Sequence, residues 1–481
     1  MKEDKLQQVY ESFLQLEDRK DWFKSIEVNH IKIWHYIRYE IFQEIAYMFG
    51  KVRNPNDKEK FYEKDKTLKN WIDEKILKNQ FRITQKDVLI FNHQRRVKQG
   101  NYFKCIYTDE WLKTFNRSYC VYELSYTQNF HFKPVKTKNL RYIDFAQYAA
   151  VFRKKYSLEP TCLKEVKKVA EYIAEALETE FKLKFSIEDK KKIHGIIYSK
   201  IAERDRYRDY YGYLLKRIKP KIILYVVGYE FDHMILAELA KELNIPTVEI
   251  EHGHIGKSQL AYNFIGERNL KAFPDYLFVA GKHEIEAARV PIEKKNLYIT
   301  GSPELDKKVD YYKRALGNKT KRHKIITFVS SGEYEIADAA VELYGKLDKE
   351  KYKIYLKLHP SEYTNWREKY HDLEKSGVCV ADDCCHDIYY YLAVSDFLIG
   401  ISSTVLFEAT RFDCNILIYK RGYYYGAESL IQRGEGICID SMDEAVKYIC
   451  MERKKRKASD YYYSSKSSQL INNAVNQLIR G

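Results

Sequence analysis

Cysteine is sparse in this sequence, and its nine copies, at 105, 120, 162, 379, 384, 385, 414, 438 and 450, include no CxxC pair. An odd count without paired spacing excludes a complete disulfide framework and fits reduced thiols in a cytosolic protein. Long apolar runs are missing as well. No stretch approaches the ~20 apolar residues of a membrane helix, and the start, MKEDKLQQVYESF, lacks a signal-peptide core. The expected location is cytoplasmic, with any membrane contact peripheral. Three glycine signatures are also absent, GxGxxG, GxxxxGK[ST] and GxSxG, which weighs against dehydrogenase, P-loop and hydrolase-elbow readings. Nor does a strand end carry the Asp-x-Asp pair that a metal-bound nucleotide sugar would use.

What remains is a globular composition, 45% hydrophobic and 15% aromatic, in a chain whose 481 residues favour two domains over one. Lys and Arg outnumber Asp and Glu by 83 to 68, a net +15 that favours anionic partners. Residues 1–80 read as a helical N-terminal extension, its aromatics Trp22, Phe23, Trp34, Tyr36 and Tyr39 forming core stripes or packing onto the next domain. The run DVLIF at 87–91 is the first convincing strand, and 160–218 is largely helical. From Lys219 the pattern becomes strand, helix, strand within about thirty residues (KIILYVV, DHMILAELAKEL, TVEIEHGHIG), the spacing of a βαβ crossover. Alternation restarts after the basic stretch 319–324. The expected fold class is therefore α/β, with one Rossmann-like domain over 81–315 and a second over 316–455, read below from a family resemblance as the acceptor and nucleotide-donor domains. The tail 456–481 reads as a solvated basic and helical segment, with a return onto the first half or contact with an anionic membrane as alternatives.

Ligands of parallel α/β sheets gather beyond the carboxyl ends of strands, so residues at strand exits are the candidates for chemistry. Ile354 to Leu358 runs into His359-Pro360, flanked by Lys357 and Ser361, and Pro cannot continue a central strand. Imidazole there can donate to, or protonate, a departing phosphate. Phe397 to Ile401 runs into Ser402-Ser403-Thr404 before the apolar helical pattern Val405, Leu406, Ala409 and Phe412. Hydroxyls and N–H groups at a helix start suit phosphate, although Ser and Thr also serve as plain caps. Glu408, a turn later, is placed to accept from ribose hydroxyls. Ser330-Ser331-Gly332 and Gly301-Ser302-Pro303 follow strands too, and either binds phosphate or merely turns. In the first half, Glu251-His252-Gly253-His254 follows a strand and offers a base, with Gly253 permitting a tight turn or close ligand approach. A metal is the rival reading there and at DDCCHD, 382–387, but further ligands at the usual spacing are missing.

Taken in order, EHG (251–253), GSPELD (301–306), KLHPSE (357–362) and DIYYYLAVSDFLIGISSTVLFEA (387–409) resemble the GT-B transferases of bacterial surface and capsular polysaccharide biosynthesis. That group includes polysialyltransferases and related sialyltransferases, Kdo transferases and CDP-glycerol glycerophosphotransferases. The resemblance covers residues 220–450. It implies two Rossmann-like domains facing a cleft, with His359, Ser402 and Ser403 holding the donor's phosphate. It also implies a base from the first half. The sialyltransferase-like pattern has two acidic residues before Gly and the glycerophosphotransferase-like pattern has His before Gly; Glu251-His252 meets the second and departs from the first.

The expected activity is that of an inverting, metal-independent glycosyltransferase or glycerophosphotransferase using a nucleotide-activated sugar or glycerol donor, CMP- or CDP-linked in preference to UDP-linked, with no cofactor. The acceptor is a glycan, lipid-linked acceptors included, and nucleic acid is not an expected partner. A nucleotide-sugar 2-epimerase or hydrolase of the same architecture is the alternative enzyme. A non-catalytic basic scaffold for nucleic acid or membrane ranks last, because the basic residues are scattered without an RNA motif.

Overall fold

Strands covered on both faces must be largely apolar, and the central strands of two sheets, VLIFN, IILYV and FLIG among them, are such runs, buried at every position. The computed structural model describes residues 2–49, 72–126, 130–143, 158–256, 259–266, 268–316, 323–371, 373–382, 386–451 and 456–480. The chain divides into two compact units. Unit 1 comprises 1–279, 287–298 and 468–481, and unit 2 comprises 280–286 and 299–467.

Unit 1 is built on β1 (Val88–Asn92), β2 (Tyr119–Leu124), β3 (Leu140–Ile143), β4 (Ile222–Val226), β5 (Thr247–Ile250), β6 (Tyr276–Val279) and β7 (Leu297–Ile299). Their order across the sheet is β3-β2-β1-β4-β5-β6-β7, with β3 through β6 paired in parallel. Alternate residues go to opposite faces. Val88, Ile90, Val121, Ile222, Leu224, Val248 and Phe278 form one core, while Leu89, Phe91, Cys120, Tyr122, Ile223 and Tyr225 form the other. The second face is covered by α4 (Ile187–Ile218) and α5 (Phe231–Glu242). A reciprocal cap, the Ser186 side chain to the Asp189 N–H and the Asp189 carboxylate to the Ser186 N–H, starts α4.

The helices α1 (Lys2–Arg19) and α2 (Trp34–Met48) are part of this unit rather than an appendage. Arg38 and Glu17, 2% and 1% exposed, form an ion pair, and the same guanidinium donates to the carbonyls of Leu260 (2.6 Å) and Asn263 (3.1 Å). Every contact of the pair is inside the fold, so the N-terminal helices cannot detach without stranding a buried charge. The expected core role of Trp22, Phe23, Trp34 and Tyr36 matches their burial. Of the 1–80 segment, residues 50–71 lie outside the described residues. The charged stretch 160–218 is α3 (Pro160–Phe181) packed against α4.

Unit 2 contains β8 (Lys324–Val329), β9 (Tyr352–Lys357), β10 (Cys379–Ala381), β11 (Phe397–Gly400), β12 (Asn415–Tyr419) and β13 (Gly436–Ile439), all paired in parallel. The order is β10-β9-β8-β11-β12-β13. Counted within each unit, both sheets run 3-2-1-4-5-6, the Rossmann order, with a seventh strand at the edge of unit 1, and the direction in which the strand order advances reverses between the first and fourth strands, which are themselves parallel. The two Rossmann-like domains expected of a GT-B chain are thus present. The helices α6 (Pro303–Leu316), α7 (Tyr334–Lys346), α8 (Ile388–Val394), the single turn α9 (Val405–Glu408) and α10 (Met442–Cys450) cover this sheet.

Two boundaries differ from expectation. The units part at 299, not near 315, because Leu305 and Val309 of α6 are buried in the core of unit 2. The tail is not a solvated helix. Residues 456–467 stay with unit 2, and α11 (Ser467–Arg480) buries Ile471, Ala474 and Val475 in the first core of unit 1. Among the described residues no helix is long and apolar enough to cross a membrane.

Candidate functional sites at the strand exits

In unit 2, the exits of β9, β8 and β11 stand side by side around the point where the strand order reverses. His359 leaves β9 and caps a short 3-10 turn, Pro360–Glu362. Its Nδ1 accepts from the Ser361 N–H (3.2 Å) and lies 2.7 Å from the Ser361 hydroxyl. An imidazole whose Nδ1 accepts carries its proton on Nε2, so the exposed ring is a hydrogen-bond donor. Ser402 leaves β11, half-buried, and its hydroxyl makes no hydrogen bond among the described residues. A side chain at Gly426 would press on the Ser402 Cβ at 3.2 Å, so that glycine leaves Ser402 its place. The exits of β9 and β11 are two strand spacings, ~10 Å, apart.

Other members of the predicted donor set have their bonding capacity engaged within the fold. Lys357 is 6% exposed and its ammonium donates to the Tyr363 hydroxyl (2.8 Å) and the carbonyls of Ala381 (3.2 Å) and Asp382 (2.8 Å). It therefore ties β9 to the end of β10 and leaves no proton for phosphate. Ser330, 5% exposed, accepts from the Gly332 N–H (3.0 Å) and also bonds Glu362, so it shapes the turn after β8. Ser331 remains exposed, its N–H donating to Glu333 (3.0 Å). Gly332, at φ +105°, is the position in that turn that requires glycine. Pro360 is exposed and rigidifies the His359 turn. Gly301 and Ser302 are a structural joint: a Cβ on Gly301 would meet the Ser467 Oγ at 2.2 Å and the Ser464 carbonyl at 2.3 Å. The chain's own segment fills the space predicted for a ligand.

The helix expected after Ser403 is also shorter than predicted. The single turn α9 passes into a 3-10 turn at Ala409–Arg411, where the Thr410 hydroxyl donates back to the Phe407 carbonyl (2.6 Å). Such back-bonding competes with the helix and bends it. One turn has no appreciable dipole, so an anion there would be held by the Ser402 hydroxyl and loop N–H groups. Ser403 Oγ accepts from the Val405 N–H (3.3 Å), and Thr404 is exposed without a side-chain capping bond. Glu408 is pushed up to about 7 by burial, with Glu304 adding to the effect and a Tyr389 hydrogen bond opposing it. It is bonded to Tyr389 rather than open as a ribose acceptor.

Glu362 is a residue that sequence reasoning passed over. At 3% exposure its carboxylate accepts from the His359 N–H (3.0 Å), Lys369 Nζ (2.8 Å) and the Tyr370 hydroxyl (2.5 Å). Lys369 also donates to the Gly332 carbonyl (2.6 Å). Burial opposes ionisation, yet the bonds from Lys369, Ser330, Tyr370 and His359 hold this carboxyl below its ordinary value. One buried anion thereby fixes the exits of β8 and β9 together. The signal was available as a Glu three residues after the exit residue, the reach-back position of a capping box.

In unit 1, His252 and Glu251 leave β5. Glu251 is partly exposed, its N–H donating to the Phe278 carbonyl (2.9 Å). Burial, with the charge of His93 second, pushes the His252 imidazole down to about 4, so it is neutral near pH 7. Its Nε2 lies 3.2 Å from the Tyr229 hydroxyl, and its carbonyl accepts from the Tyr107 hydroxyl (3.0 Å). Gly253 makes neither a positive-φ turn nor a close approach, since a Cβ there would meet nothing within 4 Å. His254 is partly exposed beside Gly256.

The neighbouring exit of β4 was missed, though it too is an apolar run breaking into glycine. Val227 sits at φ +64°, a position β-branched residues avoid. The Gly228 N–H donates to buried Glu249 (2.8 Å), and a Cβ on Gly228 would collide with that carboxylate at 2.3 Å. Burial pushes Glu249 up to about 7 against its bonds from Tyr262 and Gly228. His233 bonds the Val227 carbonyl through Nδ1 (3.0 Å).

Glu230, Asp232 and His233 offer ligand atoms within 4.8 Å of one another. Glu230 lies 3.9 Å from Nδ1 of His233 and Asp232 lies 3.9 Å from Nε2. Nδ1 of His233 is already bonded to the Val227 carbonyl, which leaves Nε2 as the ring nitrogen facing Asp232. Burial works against protonation of His233, but Asp232 and Glu230 raise it above its ordinary value, as suits an imidazolium between two acids. At 382–387, residues 383–385 lie outside the described residues. Asp387 caps α8 through the Tyr390 N–H (3.1 Å) and accepts from Tyr312 (2.7 Å) and Lys308.

No protein-family model and no curated protein matches the chain. Among solved structures it is similar to UDP-GlcNAc 2-epimerase from Methanocaldococcus jannaschii, with TM-score 0.47 and 13% identity over 82% of this chain and 99% of that one. The Neisseria meningitidis UDP-GlcNAc 2-epimerase bound to UDP-GlcNAc gives TM-score 0.47 and 14% identity over 81% and 99%. The wall teichoic acid polymerase TagF soaked with CDPG gives 0.42 and 11% over 82% and 90%. Likenesses this distant leave the chemistry to the residues themselves.

Proposed function

We propose that this chain is an inverting transferase that moves a group from a nucleotide-activated donor to a hydroxyl of a glycan acceptor in surface-polysaccharide synthesis. Unit 2 binds the donor and unit 1 supplies the base. The observation that carries the reading is the edge of unit 2, where an imidazole tautomerised as an Nε2–H donor and an unengaged serine hydroxyl flank the reversal point of a Rossmann sheet. Both are donors, as the oxygens of a departing phosphate require, and each such contact lowers the barrier by ~3 kcal/mol when aligned with developing charge. The reading assigns that charge to His359, Ser402 and loop N–H groups rather than to a metal. The preference for cytidine-linked donors rests on the resemblance of KLHPSE and GISSTVLFEA alone. Acid–base work falls to His252, whose ring is neutral at physiological pH, or to Glu251 beside it.

A thermal-shift screen with CMP, CDP, UDP, GDP and their conjugates tests the donor site, because a ligand that binds only the fold stabilises it by mass action. The expected result is selective stabilisation by one nucleotide family, abolished in His359→Ala. The stabilising conjugate, incubated with and without a glycan acceptor, then separates the reactions. Transfer only with acceptor supports the proposal; an epimerised or free sugar without acceptor replaces it with the epimerase or hydrolase alternative. Salt-sensitive polyanion binding with no nucleotide preference would leave the basic-scaffold reading.

A further inference from the structure

Neither ring nitrogen of His252 is open to a substrate. Nε2 is engaged by the Tyr229 hydroxyl at 3.2 Å, and Nδ1 is buried without a hydrogen-bond partner. Tyr229, by contrast, is partly exposed, with its ring held against Tyr39 at 5.1 Å and Tyr262 at 5.8 Å. The turn that delivers it is strained at Val227 (φ +64°) and fixed on both sides, by Glu249 on the Gly228 N–H and by His233 on the Val227 carbonyl. A β-branched residue persists in that conformation only where the surroundings over-determine it, and such positions gather at functional sites.

We infer that Tyr229 is the residue that meets the acceptor hydroxyl, relaying its proton to Nε2 of His252. This rests on the transferase reading above. As the acceptor oxygen bonds to the electrophilic centre of the donor, its O–H bond breaks and the proton passes to Oη of Tyr229. The proton already on Oη moves to Nε2, and the bond to the nucleotide oxygen breaks with its electron pair leaving on the phosphate. Tyr229 ends as it began, a phenol, and His252 ends as an imidazolium. Burial, with Tyr39 second, raises Tyr229 above its ordinary value, so it holds its proton at neutral pH and serves as a conduit rather than a base. The Tyr107 hydroxyl on the His252 carbonyl keeps the ring in register with Oη.

The test uses the full chain with radiolabelled CDP-glycerol and a CMP-linked sugar as donors. Tyr229→Phe removes one oxygen and is expected to lower kcat ~100-fold with the donor KM unchanged, a loss in the range for acid–base residues. Tyr229→Phe with His252→Ala should be no slower than His252→Ala alone, because residues acting as one unit are not additive. Mixed H2O/D2O rates should curve in the wild type, with two protons in flight, and run straight in Tyr229→Phe. A Tyr229→Phe enzyme within threefold of wild type, beside an inactive His252→Ala, overturns the relay and leaves the transferase reading intact. A wild type inert with every donor and unmoved by every nucleotide overturns the transferase reading and the relay with it. If Tyr229→Phe does not fold, the 15N signals of His252 in the wild type decide: the Nδ1–H tautomer supports the relay, and the Nε2–H tautomer overturns it.

Discussion

Unit 1 and unit 2 share one sheet plan and differ in what they hang on its edge. In unit 2 the exits carry an exposed imidazole, whose backbone N–H is held by Glu362, and a half-buried hydroxyl, both donors. In unit 1 they carry partly sheltered groups already bonded to one another, with His252 pushed down to about 4 and Glu249 up to about 7. In the function proposed above, the first edge meets the anion and the second moves the proton. The sheet fixes where chemistry can sit, and the depth at which each side chain stops decides which chemistry it is.

The comparison breaks most sharply at Glu362. Glu362→Ala takes the carboxylate from half-buried Lys369, the Tyr370 hydroxyl and the His359 N–H, and the expected cost is ~3 kcal/mol in a urea melt. An unchanged midpoint would show that the two exits are not held by this anion. His359→Ala should lower turnover ~10²–10³-fold with the fold intact by circular dichroism, the loss typical of one donor to a developing oxyanion. Gln, which places an amide near Nε2, should retain more turnover than Asn, whose amide falls near Nδ1. Gly228→Ala pushes a methyl into Glu249 and should cost ~1–3 kcal/mol of stability, the range for overpacking. The same change at Gly253, in open space, should be nearly silent in the same melt.

The smallest effect is in pH. His252 is neutral in the fold down to about 4, while the unfolded chain takes up a proton below about 6.5. Between those values the unfolded state binds more protons, so the His252 contribution falls as pH falls. The stability of wild type minus that of His252→Gln should therefore decline on acidification through this window, measured by melts at each pH. A difference that is flat or rises would contradict the sheltered imidazole.

The strands were legible because a parallel sheet buried on both faces demands unbroken apolar runs, and KIILYVV, DFLIG and NILIY have no other use for such composition. His359 and Ser402 were legible as the residues where those runs stop. Lys357 and Ser330 looked equivalent to them on the page. Their partners, the carbonyls after β10 and the carboxylate of Glu362, lie elsewhere in the chain or reach across two strands, and spacing alone does not reveal such pairings. The boundary near 315 was misplaced because charge at 319–324 resembles a hinge, whereas the units part at the last residue of β7, just before an ordinary strand-to-helix turn. Tyr229 was passed over because a tyrosine among 43 carries no signal until its hydroxyl is found on His252.

The return of α11 has a consequence for how the molecule is made. Ile471, Ala474 and Val475 close a face of the first sheet, yet the ribosome reaches them only after all of the second sheet has been translated. Until then the nascent first sheet has a face lacking those three side chains. Completion of the earlier lobe must follow synthesis of the later one, which reverses the usual order in which amino-terminal domains finish first.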